Sequence, residues 1–166
     1  MIDIARSAPP SAMQLPASTL LNARFLVQGY LDTAGPLDIT YSALDRQENR
    51  QVVVQEYFPR AVVSRDVDGA AVRVRDQKLF NDGLDLYRRE AVLISTLDSV
   101  NVAPLVAAFD AHGTTYRVHE QLDGPRLDEY AAEHPFSEEQ ATDCMTTLLR
   151  ALVVAHPTGL VHGRLS

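Results

Sequence analysis

The chain has one cysteine, Cys144, in 166 residues, so an intrachain disulfide is excluded and the Cys and His spacing of a zinc site is absent. It also lacks any run of 18 apolar residues, and Met1-Ile2-Asp3 offers no basic head before an apolar stretch. Neither a spanning helix nor a signal peptide is expected in this sequence. Positive charge is scarce: Lys78 is the only lysine, and the net charge is -7. Such a balance repels phosphate, which argues against nucleic acid and against anionic membrane surfaces as partners. A reducing cytoplasm is the expected location. No metal site is expected.

What is present suits a packed domain, since 46% of residues are hydrophobic. Residues 1–19 mix Pro9, Pro10 and Pro16 with serines and small residues and read as a flexible tail. From residue 20 the pattern is strand-like: Arg24–Leu31, then Leu37–Leu44 with alternating polarity, then Val52-Val53-Val54-Gln55-Glu56-Tyr57-Phe58, stopped by Pro59. Asp68-Gly69 predicts a hairpin within 61–74. Apolar residues at spacings of three and four, Phe80, Leu84, Tyr87, Ala91 and Ile94, predict an amphipathic helix over 79–97, with Glu90 in the neighbouring Leu86, Leu93 and Leu97 row. A second hairpin is expected from 102–109 and 115–120 around Ala111-His112-Gly113-Thr114. Leu122–Pro125 breaks the pattern, and a short helix follows over 127–134.

Ser137 with Gln140 three residues later is a capping box for the last helix. Its stripe of Ala141, Cys144, Met145, Leu148, Leu149, Leu152 and Ala155 needs a covering partner, and Cys144 is expected in a core. With little chain left to cover that stripe, a truncated domain is expected.

Several stretches resemble a known family in order. Gln55-Glu56-Tyr57-Phe58-Pro59-Arg60 resembles the third strand of bacterial eukaryotic-like Ser/Thr protein kinases, where a lysine stands at the position of Gln55. Ile39-Thr40-Tyr41-Ser42-Ala43, Arg89-Glu90-Ala91, Tyr116-Arg117-Val118-His119-Glu120 leading to Gly124, and Ala155-His156 with Leu160-Val161-His162 supply the other anchors. The resemblance implies an α+β fold: a kinase-like N-lobe over 20–120, with a five-stranded antiparallel sheet and one helix. The hinge and the first helices of a truncated helical C-lobe would follow over 121–166.

It also implies a degenerate site made of Gly35, Gln55, Glu90, His119 and Glu120. Where the family has a glycine-rich loop over the phosphates, this chain has Thr33-Ala34-Gly35-Pro36-Leu37-Asp38, with one glycine. An aspartate about 5 Å from a phosphate charge costs about 3 kcal/mol at an effective dielectric near 20, and Asp32 adds to the repulsion. The family's helix glutamate matches Glu90, which either bonds Gln55 or faces solvent. His119 resembles the residue behind the nucleotide pocket and reads as a half-buried histidine or a ligand contact. The catalytic-base position, two residues after His162, is Arg164, and a guanidinium accepts no proton. His156 and His162 are expected to pack around the loop. For Arg60, Arg65, Arg88 and Arg89, scattered solvated charge is favoured over a phosphopeptide site.

The expected function is that of a pseudokinase without cofactor that contacts a protein partner in bacterial signalling. The alternative is an atypical kinase or ATP sensor with Mg-ATP in a rearranged pocket, its cation supplied from elsewhere, for which Lys78 is the sole lysine.

Overall fold

The computed structural model describes residues 13–31, 35–65, 69–125 and 127–160. Two compact units are present, Met1–Ala91 with Leu105–Gln121 and Val92–Pro104 with Leu122–Ser166. The first holds all the strands. They are β1 (Leu20–Leu21), β2 (Phe25–Leu31), β3 (Asp38–Asp45), β4 (Arg50–Tyr57), β5 (Val63–Arg65), β6 (Val72–Val74), β7 (Leu105–Ala111) and β8 (Thr114–Glu120), with helix α1 (Gln77–Ser95) between β6 and β7. The main sheet runs β1-β2-β3-β4-β8-β7, and β5-β6 pair separately. Five long antiparallel strands are therefore found as expected, with a two-residue strand added at the edge.

β4 is central because Val52 and Val54 bury on one face while Gln55 lies on the other. Its register sets Glu56 opposite Ile39 and Tyr116, and Gln55 opposite Thr40 and Arg117. One sheet face thus gathers Ile39, Tyr41, Ala43, Val52, Val54, Glu56, Tyr116 and Val118, all buried. Burying side chains of this size contributes roughly 1.5–3 kcal/mol each. The β7-β8 turn has positive φ at His112 (54°) and Gly113 (78°), the geometry a two-residue hairpin loop needs.

The hairpin expected over 61–74 forms only short strands, and Asp68 lies outside the described residues. It contributes a buried cation. Arg65, read from sequence as solvated, has a fully buried side chain paired with the equally buried Glu56 carboxylate. Tyr41 Oη (2.8 Å) and Tyr116 Oη (3.0 Å) also donate to Glu56. Burial pushes the Glu56 carboxyl above its ordinary range, with Arg65 and the two phenols opposing. For Arg65 burial opposes the charge, but Glu56 and Tyr41 outweigh it and its pKa rises. The same guanidinium donates to Met13 O (3.1 Å) and lies 5.1 Å from the Phe58 ring. Leu15 N donates to Tyr41 Oη (3.1 Å), and Leu15 is buried. From Met13 onward, the segment read as the end of a flexible tail is pinned by this cluster.

α1 begins where the Asp76 carboxylate accepts from Leu79 N (3.0 Å). It buries the expected row, Phe80, Leu84, Tyr87 and Ala91, and leaves Leu86 exposed. Tyr57 joins the helix to β4, with its ring centroid 5.4 Å from Phe80 and 5.3 Å from Tyr87. Gly83 permits that approach, because a Cβ there would fall 2.0 Å from Tyr57 Oη.

The second unit contains α2 (Leu127–Glu133), α3 (Glu138–Ala155) and a 3-10 turn over His156–Thr158. The capping box is formed: Ser137 Oγ accepts from Gln140 N (3.2 Å) and Gln140 Oε1 from Ser137 N (2.9 Å). The α3 stripe is largely open, with Met145 and Leu149 exposed. Cys144 is only half-buried, a correction to its expected core placement that follows from the openness of this face. His156 is exposed rather than packed. Among the described residues no helix is long and apolar enough to cross a membrane, and no cluster of three potential metal ligands occurs.

Candidate functional site

The site is built outward from β4. Side chains alternate along a strand, so a residue adjacent to Glu56 must face away from the buried ion pair, and Gln55 does. Directly opposite Gln55 on β8 stands Arg117. Facing residues on neighbouring strands lie about 5 Å apart at Cβ, so Arg117 emerges beside Gln55 on the same face. Sequence reasoning assigned it no role.

Arg117 reaches α1. Its Nη2 donates to Glu90 Oε2 at 2.9 Å and also to the Tyr87 carbonyl oxygen. Its guanidinium carbon lies 3.5 Å from the Tyr87 ring centroid, within cation–π range. The Arg117 side chain is 8% exposed and that of Glu90 38% exposed. Glu90 thus neither bonds Gln55 nor simply faces solvent: its carboxylate accepts from an arginine two strands along from β3. Burial drives the Tyr87 phenol well above its usual range, with Arg117 the main opposing influence.

The remaining residues divide. Gly35 is buried, and its amide donates to Asp38 Oδ1 (3.1 Å). A backbone donor that could face an anion is therefore occupied by a carboxylate of the same turn. Asp32 and Thr33 lie outside the described residues. His119 is half-buried between Val53 of β4 and Leu105 of β7. Glu120 pairs with Arg50, both partly exposed. His162 and Arg164 lie outside the described residues. Lys78, the lysine available for a rearranged pocket, is 87% exposed in the first turn of α1 and bound to Asp82 at 2.6 Å. Arg88 bridges to Asp110 (2.8 Å) on the surface.

Beside Glu90 lies a mainly apolar groove of about 250 Å³, lined by Leu37, Tyr57, Leu79, Gly83, Leu86 and Tyr87 among others. Chemically, the face around Gln55 brings together its own amide, Thr40 of β3 and Arg117 of β8, whose Nη2 is already bonded to Glu90 and Tyr87. It has hydrogen-bonding capacity, and the cation set directly opposite Gln55 in the sheet is Arg117.

No protein-family model matches the chain. It is 26% identical over 95 residues to the probable serine/threonine-protein kinase PknB of Lactococcus lactis, a match covering 55% of this chain and 15% of that protein. Among solved structures, the apo form of PpkA-294 is 26% identical with a TM-score of 0.65, covering 74% of this chain and 43% of that one. The Mycobacterium tuberculosis PknI kinase domain is 15% identical with a TM-score of 0.67, covering 92% and 55%. The chain thus spans a small part of that curated relative and about half of the PknI domain. These matches and the sheet-plus-helix architecture give the chain a Ser/Thr protein kinase-like fold, distantly similar to the bacterial PknB and PknI kinase domains.

Proposed function

We propose that this chain is a pseudokinase-type domain: it retains the kinase-like scaffold, transfers no phosphoryl group, and acts by protein contact as a scaffold or allosteric regulator in bacterial signalling. The observation that carries this reading is the fate of the central cation. Strand β4 offers Gln55 where the resembled kinases hold their phosphate-gripping lysine. The cation opposite it in the sheet, Arg117, is buried and bonded through Nη2 to Glu90 and Tyr87. A neutral amide cannot offset the charge of a triphosphate, and positioned charge is the main contribution to phosphoryl transfer in this fold. Asp38, holding the Gly35 amide, works in the same direction. Arg164, at the position of the catalytic base, would stay protonated at any physiological pH.

The partner is expected to be a protein. Under the nucleotide-sensor reading the cation would come from Arg117 leaving Glu90 or from Lys78, which is 87% exposed and paired with Asp82 on the surface. A labelled-phosphate transfer assay with a generic protein acceptor and Mg-ATP tests the proposal. No incorporation above a buffer control is expected, and turnover that survives further purification would overturn it.

A further inference from the structure

We infer that Arg117 is a built-in pin that holds helix α1 against the sheet whether or not any nucleotide is present. The inference goes beyond the function proposed above, since the pin would hold in a nucleotide-binding protein too.

The bonds of one side chain converge on a single turn of α1. The guanidinium meets the Glu90 carboxylate at 2.9 Å, the Tyr87 carbonyl and the Tyr87 ring face. The planar fork suits this combination of stacking and donation, which an ammonium group could not reproduce. These interactions are sheltered, since Arg117 is 7% exposed as a residue, and a charge-assisted hydrogen bond there is screened less than one on the surface. Glu90 and Tyr87 lie three residues apart and share a helix face, so one side chain can engage both.

The place of Arg117 in the sheet supports the same role. It is the β8 residue opposite Gln55, and its neighbours on β8, Tyr116 and Val118, point to the opposite, buried face. The β8 strand therefore splits its work: Tyr116 closes the Glu56 cluster on one side of the sheet, and Arg117 fastens α1 on the other. The cation of this face stands on β8, one strand from Gln55. There its Nη2 serves the helix, while its buried Nε has no hydrogen-bond partner among the described residues.

Hydrogen–deuterium exchange on the full chain tests the pin. Arg117→Met, which keeps the length and loses the charge, should speed exchange of the α1 amides over 84–91 by roughly tenfold, because a helix freed of its charge-assisted bond to the sheet opens locally more often. Exchange in β3 and β4 should stay as in the parent. Adding Gln55→Lys to Arg117→Met should restore part of the protection, since an ammonium on the same face beside position 117 supplies the charged bond to Glu90 but not the stacking on Tyr87. Unchanged α1 exchange in Arg117→Met would overturn the inference, as would acceleration spread evenly over the sheet or a failure of Gln55→Lys to rescue. If Arg117→Met does not fold, Glu90→Gln gives the second reading: faster exchange confined to α1 supports the pin, and no local change refutes it. The parent with and without Mg-ATP should show the same α1 protection. A nucleotide-dependent gain there would count against the pin, whereas a failure of the transfer assay bears only on the proposed function.

Discussion

Arg65→Met should be among the most damaging substitutions in this protein. Both members of the Arg65–Glu56 pair have fully buried side chains, so removing the guanidinium leaves a carboxyl in the core with only two phenols to satisfy it. Breaking a buried pair from one side costs about 3–5 kcal/mol, because the remaining charge is not resolvated. Arg65 also loses its bond to Met13 O and its approach to the Phe58 ring, so the upper half of that range is expected. For a chain of this size each kcal/mol shifts the melting temperature by about 2–4 °C, giving a fall of about 8–20 °C.

The pH dependence carries the mechanism. Burial already holds the Glu56 carboxyl above its ordinary 4.5, and Arg65 is the largest influence opposing that rise. Without Arg65 it rises further. A carboxyl raised on folding contributes stability that is full below its unfolded value and is lost as pH climbs through the folded value. The deficit of Arg65→Met relative to the parent should therefore be larger at about pH 8 than at about pH 5 in urea unfolding. Glu56→Gln introduced into Arg65→Met should recover part of the loss at the higher pH, since it removes the stranded charge. A deficit under about 1 kcal/mol, or one equal at both pH values, would refute the buried-pair argument.

Asp45 behaves in the opposite sense: the bidentate hydrogen bonds from Arg24 (2.8 and 2.6 Å) hold its carboxyl below the usual range. Its stabilisation is present above the ordinary value and lost as pH falls through the depressed one, so Asp45→Asn should lower the urea midpoint at neutral pH and flatten its decline toward acid. Gly83→Ala should destabilise by about 1–3 kcal/mol through overpacking, although alanine is the better helix former. In a Tyr57→Phe background the 2.0 Å contact is gone and the nearest ring carbon lies at 3.1 Å, so the same change should cost distinctly less in thermal melts.

Local and periodic features were legible from the residues alone. The burial of Phe80, Leu84, Tyr87 and Ala91 follows from their spacing, the Ser137–Gln140 box from its own four residues, and the turn at His112-Gly113 from its backbone demands. Charge partners were not. Arg65 finds Glu56 nine residues away through a hairpin whose register no composition rule supplies. Arg117 reaches Glu90 across 27 residues because β8 pairs with β4 rather than with a sequence neighbour. A hint existed in the second case: an arginine between Tyr116 and Val118 in a strand buried on both faces demands an anion nearby. Glu90, on α1 between β4 and β8, was the candidate at hand. The openness of α3 could not be read from its own stripe, since periodicity shows which face is apolar and not what lies against it.

The central claim is that the cation opposite Gln55, Arg117, is held by Glu90 and Tyr87 and does not grip a triphosphate. Equilibrium titration of the chain with Mg-ATP by calorimetry tests it most directly. The account predicts no saturable heat up to about millimolar nucleotide, whereas a saturable curve with a dissociation constant of about 10 μM, weakened by Arg117→Met, would contradict it.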